Sequence, residues 1–298
     1  SDLVIAGFKD LMDSGSLDIE SVDALIVVTQ TPDYLMPGTS FVIHGALPFR
    51  KDMICLDVNQ GCSGFITGMS LALSLISQDS INRVALVNVD VLSRLVAAGD
   101  RNSRPIIGDA AAITIVDDCI NVSEITCFNK VDGSGWDALM IPAGGMKMRP
   151  SAESSKLIED HNGNVRSYDD LVMKGDAVFH FVLQEVPAMV ETVCNEANIG
   201  KEEVDFFIFH QPNPFLLKKV ASKLKIPLEK MPHNLVPLYG NPSGVSVPAV
   251  LCTSFNGADF LESKKICLSG FGVGLSWGSI IMDLKDPLFL TVMEFGDE

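Results

Sequence analysis

An α/β fold built from two similar halves is predicted by three features of the 298-residue chain. Short apolar runs, such as Ala24-Leu25-Ile26-Val27-Val28 and Val84-Ala85-Leu86-Val87, are almost free of polar residues. Such runs suit strands covered on both faces by helices. Between them, apolar residues recur at helical spacing, as at Ile66, Met69, Leu73 and Ile76. The order of motifs in the first half then returns in the second.

Residues 3–13 read as an amphipathic helix through Leu3, Ile5, Phe8, Leu11 and Met12, broken by Ser14-Gly15-Ser16. Asp23 to Thr29 is a buried strand, Thr31-Pro32-Asp33 a loop, and Pro37-Gly38 leads into a short helix ending near Ala46. Met53 to Val58 is the next strand. It runs into Asn59-Gln60-Gly61-Cys62-Ser63-Gly64-Phe65, a strand-to-helix turn of small residues. Further strands are expected at 83–90 and 108–116. Residues 129–170 are rich in loop signals, including Asp132-Gly133-Ser134-Gly135 and Pro142-Ala143-Gly144-Gly145. They are expected to join two halves, 1–165 and 166–298. A long helix should run from Val178 to about Ala197, with Pro187 as a kink. Three echoes follow in order. Residues 203–210 repeat the pattern of 21–28, Pro242-Ser243-Gly244-Val245 that of Cys62-Ser63-Gly64-Phe65, and Lys265 to Ser269 that of Arg83 to Val87. Ser276 to Met282 reads as a closing strand.

The chain is 47% hydrophobic and 20% charged, enough apolar matter for a large core. No apolar run approaches the roughly 20 residues of a membrane span, so no membrane association is expected. Ser1-Asp2-Leu3 opens on a helical pattern without a leader or an initiating Met, which leaves the natural start open. Seven scattered cysteines form no C-x-x-C pair or His/Cys cluster. Neither a metal site nor a disulfide framework is expected, and reduced cytoplasmic thiols are the simplest reading. A net charge of −16 argues against nucleic acid or anionic membrane as partner.

Cys62 stands out because free N–H groups at a helix start favour a thiolate, and Gly61 and Gly64 keep its approach open. The alternative is one more small buried hydrophobe. If the halves are pseudo-symmetric, His210 at a strand end and Asn241 in Tyr239-Gly240-Asn241-Pro242-Ser243-Gly244 converge on it. His210 would then activate the thiol or hold a substrate carbonyl, and Asn241 would donate a second hydrogen bond. The Gly270–Gly278 stretch lacks the spacing of a nucleotide loop, but a backbone N–H in it could serve an oxyanion.

With these residues assembled, the chain resembles the thiolase-fold condensing enzymes of the β-ketoacyl-acyl-carrier-protein synthase III family. The resemblance rests on Gly61-Cys62-Ser63-Gly64-Phe65, His210-Gln211-Pro212-Asn213, Tyr239-Gly240-Asn241-Pro242-Ser243, Gly270 to Gly278, Asp100-Arg101-Asn102 and Gly108 to Ala112. It implies a layered α-β-α-β-α fold of two pseudo-symmetric halves, and a homodimer with no bound cofactor. It also implies a two-stage reaction. Cys62 takes an acyl group from a coenzyme A thioester. His210 and Asn241 then stabilise the enolate formed by decarboxylation of a malonyl thioester on acyl carrier protein. The N–H groups of Cys62 and Val273 would form an oxyanion hole, with Asn213 and Gly272 in support. Phe65, Leu92 and Met36 are candidates for the acyl pocket, Met36 reaching into the partner's tunnel.

Three departures qualify the resemblance. The family's N-terminal strand segment, which carries the residues gripping coenzyme A, does not precede Ser1. Phe215 stands where the family often has a basic residue, although Lys218, Lys219, Lys223 and Lys225 offer a basic helix face for carrier protein. Val273 replaces a common Gly and keeps its N–H. Two other readings stay open: acyl transfer to a hydroxyl or amine without condensation, and a non-catalytic scaffold subunit. A hydroxymethylglutaryl-CoA synthase role is disfavoured, because Thr29-Gln30-Thr31 offers no glutamate base.

Overall fold

The structure is a computed structural model and describes residues 1–118 and 124–296. Helix α1 (Asp2–Asp13) buries Val4, Phe8 and Leu11, a stripe at helical spacing on one face. Strand β1 (Ala24–Val28) follows, then α2 (Thr39–Ala46), β2 (Ile54–Val58), α3 (Gly64–Ile76), β3 (Arg83–Val91) and β4 (Asp109–Asp117). These strands form one sheet in the order β2-β1-β3-β4, parallel except for β4. After β5 (Thr126–Val131) come two small ladders, β6 (Leu139–Met140) with β9 (Val172–Met173) and β7 (Ile158–Glu159) with β8 (Val165–Arg166). The remainder is α4 (Gly175–Glu196), β10 (Phe206–Phe209), α5 (Pro214–Leu224), α6 (Leu235–Tyr239), α7 (Ser246–Ser254), β11 (Lys264–Gly272) and β12 (Ser276–Leu284). The second sheet runs β10-β11-β12-β5.

Alternation along the strands builds the layers, because successive side chains leave opposite faces. Leu25 and Val27 of β1 join Val4, Phe8 and Ile43 in a core under α1 and α2. Ala24, Ile26 and Val28 face the other way, into a central core with Phe65, Ile66 and Met69 of α3, Val247 and Val250 of α7, and Ile208 and Leu268 of the second sheet. Phe207 and Phe209 meet α4 and α5 in the third core. The resulting order is helix, sheet, helix, sheet, helix, the thiolase-like layering expected.

The duplication extends to individual bonds. Asp23 Oδ2 accepts the N–H of Arg83 at 3.0 Å, and Asp205 Oδ2 accepts that of Lys265 at 2.8 Å. Arg83 pairs with Asp117 across β3 and β4 at 2.6 Å, and Lys265 with Asp283 across β11 and β12 at 2.7 Å. Each charged pair ties the start of a central strand to the end of its antiparallel neighbour.

Three details add to the expected picture. The chain enters the second sheet at β5, well before residue 165, because Thr126–Val131 supplies backbone partners for β12. Pro187 lies inside α4, within the long helix expected there. Helix α4 is also long and apolar enough to span a membrane by length and composition, unlike any run noted in the sequence. Its Val182, Val186, Met189, Val190 and Val193 are instead buried in the third core.

Candidate active site

The turn between β2 and α3 is closed by the Gly64 N–H donating to the Gly61 carbonyl at 2.6 Å. Cys62 sits inside it. Two glycines let the surroundings close in. A Cβ at residue 272 would lie 2.6 Å from Cys62 Cβ and 2.8 Å from its sulfur. A Cβ at residue 61 would collide with Gln30 Oε1 and lie 2.7 Å from Val273 Cγ1. Gly272 thus leaves the space that the Cys62 side chain occupies. The Cys62 sulfur is hydrogen-bonded by the Val273 N–H, the Ser243 hydroxyl at 3.9 Å and its own N–H. All three favour the thiolate. Burial outweighs them, helped by the charge of Asp90, and pushes the thiol above its ordinary range. A thiol acidified by the helix start is therefore not what the fold produces at rest. Desolvation of a charge exceeds what a few N–H dipoles return.

Ser243 connects the three residues singled out from the sequence. Its hydroxyl meets Cys62, its N–H donates to Asn241 Oδ1 at 3.0 Å, and its carbonyl lies 3.2 Å from His210 Nδ1. It holds a left-handed backbone (φ 56°), uncommon for a residue with a side chain. Because Asn241 Oδ1 is occupied, its Nδ2 group is the end left to donate. Asn241 is itself pinned through its backbone to Ile106 and Gly108.

His210 follows β10, with its N–H donating to the Ser269 carbonyl at 2.8 Å. Its Nδ1 lies 2.7 Å from the Ser246 hydroxyl. Nε2 finds no hydrogen-bond partner among the described residues. Burial lowers the ring's pKa to about 4, against a small opposing pull from the Ser243 carbonyl. The imidazole is thus neutral at pH 7. Behind the turn, the buried Asp90 accepts the Gln30 N–H at 2.7 Å and hydrogen bonds from the hydroxyls of Thr29 and Thr31. Desolvation raises its pKa to about 6.

Ser243, Ser246 and Asp90 are neighbours of the candidate site that the motif reading did not single out. The echo between Cys62-Ser63-Gly64 and Pro242-Ser243-Gly244 was the available signal for Ser243. Asp90 carried none, being one polar residue at the end of an apolar strand.

The other candidates fall in several places. Asn213 caps α5, its side chain accepting the Leu216 N–H at 2.8 Å. Lys218, Lys219 and Lys223 are exposed on that helix. Lys219 lies over the Phe215 ring and Lys223 donates to the Leu183 carbonyl of α4 at 2.7 Å. The three acyl-pocket candidates lie in different surroundings within one chain. Phe65 is absorbed by the central core, Leu92 is also buried, and Met36 is 83% exposed. The cavity next to the nucleophile turn, about 320 Å³, is lined instead by Gln30, Asn59, Gln60, Val131, Leu275 and Ser276, with Gly61 and Val273 toward Cys62. Among the described residues no cluster of three His, Cys, Asp or Glu side chains could hold a metal ion.

A thiol with two N–H groups beside it, a neutral imidazole and a fixed amide donor suit acyl transfer through a covalent thioester. Comparison with known proteins points the same way. Residues 56–130 match the family described as 3-oxoacyl-[acyl-carrier-protein (ACP)] synthase III, and residues 194–284 match its C-terminal part. A putative 3-oxoacyl-[acyl-carrier-protein] synthase 3 from Campylobacter jejuni is 32% identical over 295 residues, covering 96% of this chain and 79% of that protein. A beta-ketoacyl-[acyl-carrier-protein] synthase III from Lactococcus lactis is 32% identical over 287 residues, covering 95% and 84%. The crystal structure of a 3-oxoacyl-(acyl-carrier protein) synthase from Burkholderia xenovorans superposes with a TM-score of 0.90 at 31% identity, covering 99% of this chain and 82% of that one.

Proposed function

Because the chain belongs to the β-ketoacyl-acyl-carrier-protein synthase III family of thiolase-fold condensing acyltransferases, we propose that Cys62, His210 and Asn241 carry its two half-reactions. The observation that supports this most is the contact of Ser243 with all three. In the first half-reaction the Cys62 sulfur attacks the carbonyl of an acyl-CoA, whose oxyanion takes hydrogen bonds from the Cys62 and Val273 N–H groups. The bond to the coenzyme A sulfur breaks, and the thiol proton leaves with coenzyme A. Because the resting thiol is held above its ordinary range, the charge appears on the sulfur late, as the substrate displaces water.

In the second half-reaction a malonyl thioester binds with its carbonyl against His210 and Asn241. In this reading the Ser246 hydroxyl, 2.7 Å from His210 Nδ1, donates to it, and the ring's proton resides on Nε2. A neutral imidazole can then donate without itself carrying charge. As CO2 leaves, its electron pair passes into an enolate held by Nε2–H and Nδ2–H. The enolate carbon attacks the acyl-cysteine, and the Cys62 thiolate is expelled. No bound cofactor is needed, since the substrate's own carboxylate supplies the driving force.

The α5 face of Lys218, Lys219 and Lys223 is the proposed seat of malonyl-acyl carrier protein, a cationic patch on a chain of net charge −16. The free edge of β2 and the exposed Tyr34-Leu35-Met36 segment favour a homodimer, with Met36 at the partner's acyl cavity. Free cysteines throughout the described residues fit a reducing, cytoplasmic setting.

Intact-mass spectrometry after incubation with a panel of acyl-CoAs tests the reading. The expected result is a mass gain, absent in Cys62→Ser, that clears on adding malonyl-carrier protein with release of CO2 and a β-ketoacyl product. An adduct that clears without CO2 onto a hydroxyl or amine would mark non-condensing transfer. An adduct retained in Cys62→Ser would remove Cys62 as nucleophile.

A further inference from the structure

We propose that the cavity beside Cys62 selects a short acyl group bearing a hydroxyl, so that the donor is a hydroxyacyl thioester and not a plain hydrocarbon one. The inference rests on the acyl-loading role of Cys62 and names the substrate class of that step.

A proton chain beneath the nucleophile turn carries it. The Ser276 hydroxyl donates to the Val273 carbonyl at 2.6 Å, so its oxygen is left to accept. The Ser63 hydroxyl, 2.6 Å away, donates to that oxygen. Gln60 then has two acceptors before it, Ser63 Oγ at 2.9 Å and Ser276 Oγ at 3.3 Å. Its Nε2 group must face them. Both serines are buried, which fixes the chain in place. Gln60 Oε1 is thereby left as an acceptor without a partner among the described residues, on a side chain that lines the cavity. Gln30 adds a second amide. Among the described residues only its backbone N–H is engaged, by Asp90, and its Oε1 rests against Gly61 at the cavity's edge.

In this proposal the acyl chain of a Cys62 thioester lies in this space, on the side of Gly61 and Val273, the lining residues that neighbour the nucleophile. A hydrocarbon there would strip water from the two amides and return nothing. A hydroxyl a few bonds from the thioester carbonyl can donate to Gln60 Oε1 and accept from Gln30 Nε2. Sites built to hydrogen-bond a substrate group discriminate strongly against analogues lacking it, whereas apolar pockets reject an added hydroxyl weakly. During loading the sulfur–carbon bond to Cys62 forms, the bond to the coenzyme A sulfur breaks, and the thiol proton leaves with coenzyme A. The hydroxyl takes no part in this chemistry.

The test compares 3-hydroxybutyryl-CoA with 3-methylbutyryl-CoA, which matches it in shape, and with butyryl-CoA. Rates of Cys62 acylation are read by intact mass on the full-length protein and on Gln60→Met and Gln30→Met. The hydroxyacyl donor is expected to load at least about tenfold faster than either hydrocarbon donor, with the ratio falling toward one in both variants. Equal or faster loading of 3-methylbutyryl-CoA by the unaltered protein overturns the proposal and leaves the acyl-loading role intact. So does a preference that survives in a folded variant of either glutamine. Failure of every donor to acylate Cys62 overturns the acyl-loading role and this inference with it.

Discussion

Asp90 and His210 are buried titratable groups whose pKa values move in opposite directions, and each makes stability depend on pH. Asp90 moves from 3.8 to about 6, so the fold favours its proton. The associated cost is absent below about pH 4 and complete above about pH 6, on the order of 3 kcal/mol for that gap. His210 moves from 6.5 to about 4, so the fold favours the bare ring, and its contribution is lost as pH falls through 4. Between pH 4 and 6 the two slopes oppose and the native curve should be shallow. Asp90→Asn removes one of them. Its unfolding midpoint relative to the unaltered protein should shift in its favour as pH rises from 4 to 7. A difference independent of pH would mean that Asp90 does not titrate in the fold. At the reacting atoms, Asn241→Ala removes an enolate donor. Malonyl decarboxylation should fall about 10²- to 10³-fold, while acylation of Cys62 in the mass assay persists. Ser246→Ala keeps the imidazole but frees its tautomer, and a smaller loss in the same step is expected. Equal losses in loading and decarboxylation would point to collapse of the site and not to these roles.

Helix α5 and strand β2 each turn an outward face to solvent in a single chain. The apolar side of α5 is spent on the third core through Leu216, Leu217, Val220 and Leu224, leaving its lysines to solvent. Charge reversal at Lys218 and Lys219 should raise KM for malonyl-carrier protein several-fold, an effect that shrinks with salt, and spare loading from acyl-CoA. Lys223, tied to the Leu183 carbonyl, should contribute less. Unchanged KM in the double variant would move the docking surface elsewhere. Most elements were legible because each keeps one period throughout. Valines and isoleucines on both faces mark the central strands, and Val4, Phe8 and Leu11 mark α1. Residues 129–170 were not, since two-residue ladders carry no period and exist only through contacts such as Leu139 with Met173.

The whole molecule is held by a central core to which both halves contribute. Phe65 and Met69 of α3 share it with Val247 of α7 and Leu268 of β11, and β5 leaves the first half to complete the second sheet. Unfolding should therefore be one cooperative transition, with calorimetric and van't Hoff enthalpies equal. Two resolved transitions would show halves that are stable alone. Across chains, the exposed β2 edge with Ile54 and Leu56 should pair with a second copy, and sedimentation should give a dimer weakened by Leu56→Lys. The sequence by itself determined the α/β class, the repeated order of motifs and the placing of Cys62, His210 and Asn241 at strand and helix ends, while the layered order was what the family resemblance implied. Strand periodicity, turn chemistry and an internal echo are local properties, readable a few residues at a time. Only the tertiary structure decided that Ser243 would join Cys62, His210 and Asn241, that burial would hold the thiol up and the imidazole neutral, and that glutamines would line the cavity. Those outcomes depend on which distant backbones and side chains crowd one point in space, and desolvation there is a sum over neighbours that no stretch of sequence contains.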